Sequence, residues 1–437
     1  MHSLFVTGAV IAAAISSVAA NGCEDAGGAV QSGGNWYCNN PVTSITYRNF
    51  GSSGTYNKVT GMTDGVCTSE PYSYGGPLAP LNEELSLHFR GPVHLKKLAV
   101  YAKGSKPAKR DVKPSFQERR AGHAHGHKRF HAKADAKRAV GDIVTATING
   151  EVVTWINEYD GGAGSGSPPT PAPVAGNKPE IQNKNQATHT SSARSSSPSV
   201  GPGEWSRTAY YDAASGSADG LTFLNHHGGD GSGIFDMKLG NSLSYASNDA
   251  QKGSASPVVL NDALLPDNKE IVILSDRKCN GDCGGTRPGS VDYHGFEGES
   301  KIFLAELKMP LTGKRGWNED MPAFWILNAQ IPRTLQYGKA ECSCWDSGCG
   351  EFDVLEILTP GETRCKSTLH GNISGGDSHY IERPSNDYIK VAVVFNADDS
   401  SVHIKVLDQN VEFSPSLARN VVEDICKAAG KSSTFTL

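Results

Sequence analysis

The chain has 437 residues, with 41 Lys and Arg against 46 Asp and Glu, a formal net charge of −5, 49 Gly and 23 Pro. At roughly 150 residues per domain, that length holds one large or two to three small domains, with ample chain for a core. So small a negative charge over this length excludes a general attraction to nucleic acid or to an anionic membrane surface.

Residues 1–20 read as a signal peptide: an apolar, Ala-rich run without an acidic residue, ending in the small-x-small pattern Val18-Ala19-Ala20. No later stretch is apolar enough to span a bilayer, and the last residues lack the spacer and apolar tail of a GPI signal. A secreted protein without a membrane partner is expected. Ten cysteines follow the cleavage point, and an even number suits a disulfide set in an oxidising compartment. Cys342-x-Cys344-x4-Cys349 and Cys279-x3-Cys283 are metal-like in isolation, but nothing completes a tetrahedral set at familiar spacing. No metal or cofactor is expected. Three cysteines precede the central linker and seven follow it, so full pairing requires at least one bridge between the halves.

Residues 21–103 form a Gly- and Cys-rich β region in which Leu85-Ser-Leu-His-Phe-Arg and Leu95-Lys-Lys-Leu-Ala-Val-Tyr101 predict strands. Residues 104–141 are a basic linker. Its stretch 105–138 holds eleven Lys and Arg, three Asp and Glu and four His, with almost no large apolar residue, and it cannot build a core. Four dibasic pairs there are open to processing proteases if exposed, and a solvated basic linker is the alternative. The histidines of His123-Ala-His125-Gly-His127 and His131 are metal-capable, but nothing fixes their geometry. Residues 142–160 predict a β-hairpin around Asn149-Gly150, a dipeptide that accepts the positive φ angles of a type I′ turn. Residues 161–204 have the Gly, Ser and Pro composition of a spacer. From 205 to 427 short apolar runs recur between Gly, Asn, Asp and Pro, and predict an all-β, antiparallel sandwich. One helix is predicted over residues 414–429 from the spacing of Leu417, Val421, Val422 and Ile425. Residues 428–437 are left as a tail.

The segment Glu351-Phe-Asp353-Val-Leu-Glu356 carries the chemistry. In a regular strand Glu351 and Asp353 share a face and Glu356 takes the other. One β-bulge between Asp353 and Glu356 returns Glu356 to the face of its companions. Three carboxyls crowded on one face oppose one another's ionisation, and such groups are kept mainly for function. Retaining glycoside hydrolysis needs such a set, with an ionised nucleophile beside an acid of raised pKa.

The bulged ExDxxE pattern resembles that of family 16 glycoside hydrolases, the laminarinase-type β-1,3-glucanases among them. Met321-Pro-Ala-Phe-Trp325 resembles the strand preceding the motif in that family, and Ser367-Thr-Leu-His370-Gly its strand with an active-site His. The likeness covers about residues 205–413. The family's closing strand does not follow residue 413, whereas Leu95-Lys-Lys-Leu-Ala-Val-Tyr101 has that character near the N-terminus. This arrangement resembles the fungal cell-wall proteins described as circularly permuted β-1,3-glucanases. The resemblance implies a jelly-roll sandwich of laminarinase type, permuted, with residues 21–103 completing it.

By family role Glu351 is the nucleophile, Asp353 its assistant and Glu356 the general acid/base. Aromatic rings suit the apolar faces of sugars. Trp325, Trp345 and Trp317 are candidate substrate-binding residues with His370, Tyr337 is a further aromatic near the motif, and Phe324 is assigned to packing. Asn372-Ile-Ser374 is a glycosylation sequon. The expectation is a monomeric, secreted cell-wall enzyme whose partner is wall β-1,3-glucan, either an endo-glucanase or a glucan transglycosylase. A non-catalytic β-glucan-binding wall protein is the rival.

Overall fold

The computed structural model describes residues 23–24, 26–104, 204–428 and 430–437, and the backbone of the strands Ile143–Ile148 and Glu151–Ile156. The expected signal peptide, the basic His-rich segment with its dibasic pairs and the spacer up to residue 203 lie outside the described residues. Residues 107–199 form a unit of their own, within which the two strands pair antiparallel from Ile143 against Ile156 to Ile148 against Glu151, as the Asn149-Gly150 spacing predicts.

In the main unit, two large sheets share one core. The sheet that carries the motif runs, in spatial order, Gly253–Ser254, Ser244–Ala246, Leu221–Asn225, Glu270–Ser275, Leu85–Arg90, Ala323–Asn328, Glu351–Glu356, Arg364–His370 and Gly375–Gly376. The back sheet runs Ser217–Asp219, Trp205–Asp212, His94–Lys103, Lys301–Lys308, Ile389–Asn396, Ser401–Leu407, Ser44–Arg48 and Ser432–Thr436. Its pairs are antiparallel except the last, where Ser432–Thr436 lies parallel to Ser44–Arg48. The N-terminal segment thus supplies one interior strand to the motif sheet and two to the back sheet, where Ser44–Arg48 lies between Ser401–Leu407 and Ser432–Thr436. Leu85–Arg90 sits between Glu270–Ser275 and Ala323–Asn328, and His94–Lys103 between Trp205–Asp212 and Lys301–Lys308.

Alternation explains why these segments are strands. Leu85, Leu87 and Phe89 enter the shared core, while Ser86, His88 and Arg90 take the opposite face. Phe324 and Ile326 enter the same core, and Ala323, Trp325 and Leu327 form a separate cluster on the other side of the sheet. Phe89 and Phe324 stack with ring centroids 4.6 Å apart, and Phe352 meets Tyr47, Phe50 and Phe395 edge to face at 5.2–6.0 Å. Such aromatic contacts add about 0.5–1.5 kcal/mol each beyond the area they bury.

Two expectations change. The helix spans Arg419–Cys426 only, because Ser416–Leu417 pairs with Trp205–Ser206 and Pro415 offers its carbonyl to Arg207 N. Val422 and Ile425 pack on the back sheet while Val421 is exposed. The tail holds the strand Ser432–Thr436, whose Phe435 packs against the core. Eight cysteines pair, as Cys23–Cys38, Cys67–Cys342, Cys279–Cys283 and Cys344–Cys349. Cys67–Cys342 joins the two halves, and the two metal-like spacings are taken up by disulfides. Cys365 and Cys426 are free. At the seam, Gly104 N donates to Glu204 O at 2.8 Å and Trp205 faces Lys103 in register. No helix among the described residues is long and apolar enough to cross a membrane.

Residues 204–437 expressed alone lack one interior strand of the motif sheet and two of the back sheet and are expected to show no cooperative urea transition. Co-expression with residues 22–104 should restore one. A cooperative transition of the fragment alone would show that the N-terminal strands are dispensable.

Candidate active site

The ladder slips on both sides of the motif strand. Toward Ala323–Asn328 the pairing goes from Phe324 against Leu355 to Trp325 against Asp353, passing over Val354. Toward Arg364–His370 it goes from Asp353 against Thr368 to Glu356 against Lys366, so that Val354 and Leu355 together oppose Ser367. This is a β-bulge, fixed in part by Ser367 Oγ donating to Asp353 O at 2.9 Å. Phe352, Val354, Leu355 and Ile357 are all fully buried in the shared core. The extra residue goes to the core, and Glu351, Asp353 and Glu356 are left on the opposite face.

Each carboxyl has its own partner there. Trp345 Nε1 donates to Glu351 Oε2. His370 Nε2 lies 2.9 Å from Asp353 Oδ2, with the imidazole 40% exposed and the carboxyl 5%. Arg90 Nη2 donates to Glu356 Oε1 at 3.3 Å, and its Nε donates to Met321 O at 2.8 Å. Register explains the reach of Arg90: it shares a row across the sheet with Ala323 and Glu356, and the Ala323 methyl leaves room for the guanidinium to pass. Trp325 lies in the next row between His88 and Asp353. Its ring faces His88 at 5.1 Å and the Arg90 guanidinium at 5.7 Å.

The predicted site residues are therefore partly assembled. Glu351, Asp353, Glu356, His370 and Trp345 meet at one place. Trp325 borders them but is only 5% exposed, so it is part of the floor rather than an open platform, and Phe324 packs in the core as assigned. Trp317 is 55% exposed on the loop between Lys301–Lys308 and Ala323–Asn328, and none of its described contacts joins the trio. Asn372 is exposed, but its Nδ2 donates to Thr55 O (3.2 Å) and the Tyr74 hydroxyl (2.8 Å), so a glycan there, which takes one of the two amide hydrogens, would displace at least one bond. Those partners belong to the ribbon Gly54–Thr63 and Val66–Tyr74, which also reaches the Trp345 loop through Asn57 N and Ser347 Oγ at 2.9 Å.

Sequence reasoning missed Arg90, His88 and Glu270. His88 Nδ1 lies 3.0 Å from Glu270 Oε1 and its Nε2 2.8 Å from Ser86 Oγ. The available signal was the polar alternation Ser86, His88, Arg90 in a strand whose other face is wholly apolar.

Burial, then the negative charge of Asp353, pushes Glu351 up to about 8. Burial, then the charge of Glu356, holds Asp353 well above the ordinary carboxyl range. Glu270 goes the other way: burial opposes its charge, but the hydrogen bond from His88 and the nearby imidazoles hold it at about 2. A carboxyl with a raised pKa binds its proton more tightly in the folded protein than in the unfolded chain. Its contribution to stability is complete below the ordinary value of 4.5 and is lost as pH rises through about 8. Stability of Glu351→Gln relative to wild type should therefore improve steadily over that window, by up to roughly 1 kcal/mol per pH unit. Urea unfolding at stepped pH measures it, and a constant difference would contradict the burial of Glu351.

Chemically, the arrangement offers two adjoining carboxyls, Glu351 and Asp353, that hold protons more tightly than usual, beside a third carboxyl paired with a cation, with an imidazole against Asp353. That is the equipment of paired acid–base and nucleophilic work. The sequence matches the family described as cell wall protein YJL171C/Tos1, in its C-terminal part over residues 203–425 and its N-terminal part over residues 43–103. It is 45% identical, over the full length of both chains, to an Arthroderma benhamiae protein named "Probable circularly permuted 1,3-beta-glucanase". Two proteins named "Probable circularly permuted 1,3-beta-glucanase TOS1", from Candida albicans and Saccharomyces cerevisiae, are each 39% identical over 92% of this chain and 94% of their own. No solved structure matches the chain.

Proposed function

The chain belongs to the YJL171C/Tos1 family of cell wall proteins, and from that premise we propose that it is a secreted, wall-resident β-1,3-glucanase or glucan transglycosylase working with retention. The observation that carries this reading is the bulge that gathers Glu351, Asp353 and Glu356 on one face. Glu351 attacks the anomeric carbon, and Glu356 protonates the departing glycosidic oxygen. Water, or the hydroxyl of a second glucan, is then deprotonated by Glu356 and releases the sugar from Glu351. Asp353, whose hold on a proton is strengthened by burial and the charge of Glu356, hydrogen-bonds the neighbouring Glu351, and Glu351 releases its own proton to water as substrate binds. His370 positions Asp353, and Arg90 positions the carboxyl of Glu356. The likeness of the motif and its neighbouring strands to family 16 glycoside hydrolases supports the same roles.

One feature favours the rival, a wall protein that binds β-glucan without turnover: burial pushes Glu351 up to about 8, whereas a nucleophile must be ionised. Product analysis on linear β-1,3-glucan separates the two. Wild type should release or transfer oligosaccharides, and Glu351→Gln and Glu356→Gln should each lower turnover by roughly 10²–10⁴. Full activity in either variant would remove the proposed mechanism. Equal inactivity of all three, with glucan still bound, would establish the rival.

A further inference from the structure

The row that holds Glu356 continues through Ala323 and Arg90 to Glu270, three strands over. At the usual spacing of neighbouring strands, that places the Glu270 backbone about 14 Å from that of Glu356. Glu270 accepts hydrogen bonds there from Gln336 Nε2 (2.9 Å) and the Tyr337 hydroxyl (2.8 Å), besides its contact with His88. The Tyr337 ring is 46% exposed, and it meets the His226 ring edge-on at 5.7 Å. A large aromatic ring left open to solvent while its hydroxyl is tethered to a half-buried carboxylate is held in one orientation. Two buried polar atoms beside it, Gln336 Oε1 and His226 Nε2, have no hydrogen-bond partner among the described residues. Leaving such atoms bare is costly. A purely apolar ligand would leave them so, whereas a sugar brings a C–H face for the ring and hydroxyls for both atoms.

We propose that Tyr337, Gln336 and His226 form a distal subsite for a β-glucan chain, placed by Glu270 on the same face as the carboxyl trio and a few sugar rings away from it. The subsite extends the glucan reading given above and rests on it. Tyr337 stacks on the pyranose face, and Gln336 Oε1 and His226 Nε2 take up its hydroxyls. Chains long enough to span from Glu351 to Tyr337 gain this contact and shorter ones do not, so the subsite selects for polymer over fragments.

The test is calorimetric titration of short and long β-1,3-gluco-oligosaccharides into the full-length wild type and into Glu351→Gln, the latter alone and combined with Tyr337→Ala or Tyr337→Phe. Tyr337→Ala should lose about tenfold more affinity for the longer sugar than for the shorter, equivalent to about 1.4 kcal/mol of stacking. Tyr337→Phe, which keeps the ring but not its tether, should lose only a fewfold. No loss, or the same loss at both lengths, overturns the subsite and leaves the role of the trio standing. Absence of binding to the wild type at either length sinks the glucan reading together with the subsite.

Discussion

Alternation along a strand forbids residues five apart from sharing a face, and every functional statement about this protein rests on how that rule is broken between Asp353 and Glu356. The extra residue is accommodated because Val354 and Leu355 both find room in the core, where Phe352 and its aromatic neighbours pack closely. The bulge is therefore stabilised by the hydrophobic contacts behind the sheet, and the carboxyls in front are its consequence. A strand of regular pleat with the same residues would bury Glu356 against phenylalanines, at a cost far above that of one interrupted ladder.

The crowding this creates is managed from several elements at once. Trp345 comes from a loop closed by Cys344–Cys349, His370 from the neighbouring strand, and Arg90 from the N-terminal segment. Arg90 is itself fixed by the Met321 carbonyl and lies against Trp325. The charges beside the trio are thus delivered by strands far apart in sequence, which makes the site a property of the assembled sandwich and of no single segment.

The carboxyl trio was legible because its spacing is local and because apolar residues on one face and acids on the other leave few ways to lay the strand. The interior strands Leu85–Arg90 and His94–Lys103 were legible for the same reason. Arg90 was not, since nothing in a chain read by eye links it to Glu356, 266 positions away. Residues 414–417 misled through a true ambiguity: apolar spacing that suits a helix also suits a short strand beside a loop, and pairing with Trp205–Ser206 decided it. Ser432–Thr436 is short and mostly polar, and only the neighbouring Ser44–Arg48 makes a strand of it. An even count of cysteines concealed that Cys365 and Cys426 lie unpaired. Trp317 and Trp325 show that aromatic identity alone does not separate a sugar platform from a floor or a loop.

The seam at Gly104 and Glu204 sets the terms on which the rest of the chain is attached. Lys103 and Trp205 are cross-strand partners, so everything between them leaves and re-enters the sandwich at adjacent points, as a hairpin loop does. Two residues or two hundred satisfy that boundary condition equally, with closure costing about 0.6 kcal/mol more for each doubling in length. Evolution is consequently free to rewrite the inserted text, and the sheets need not register the edit.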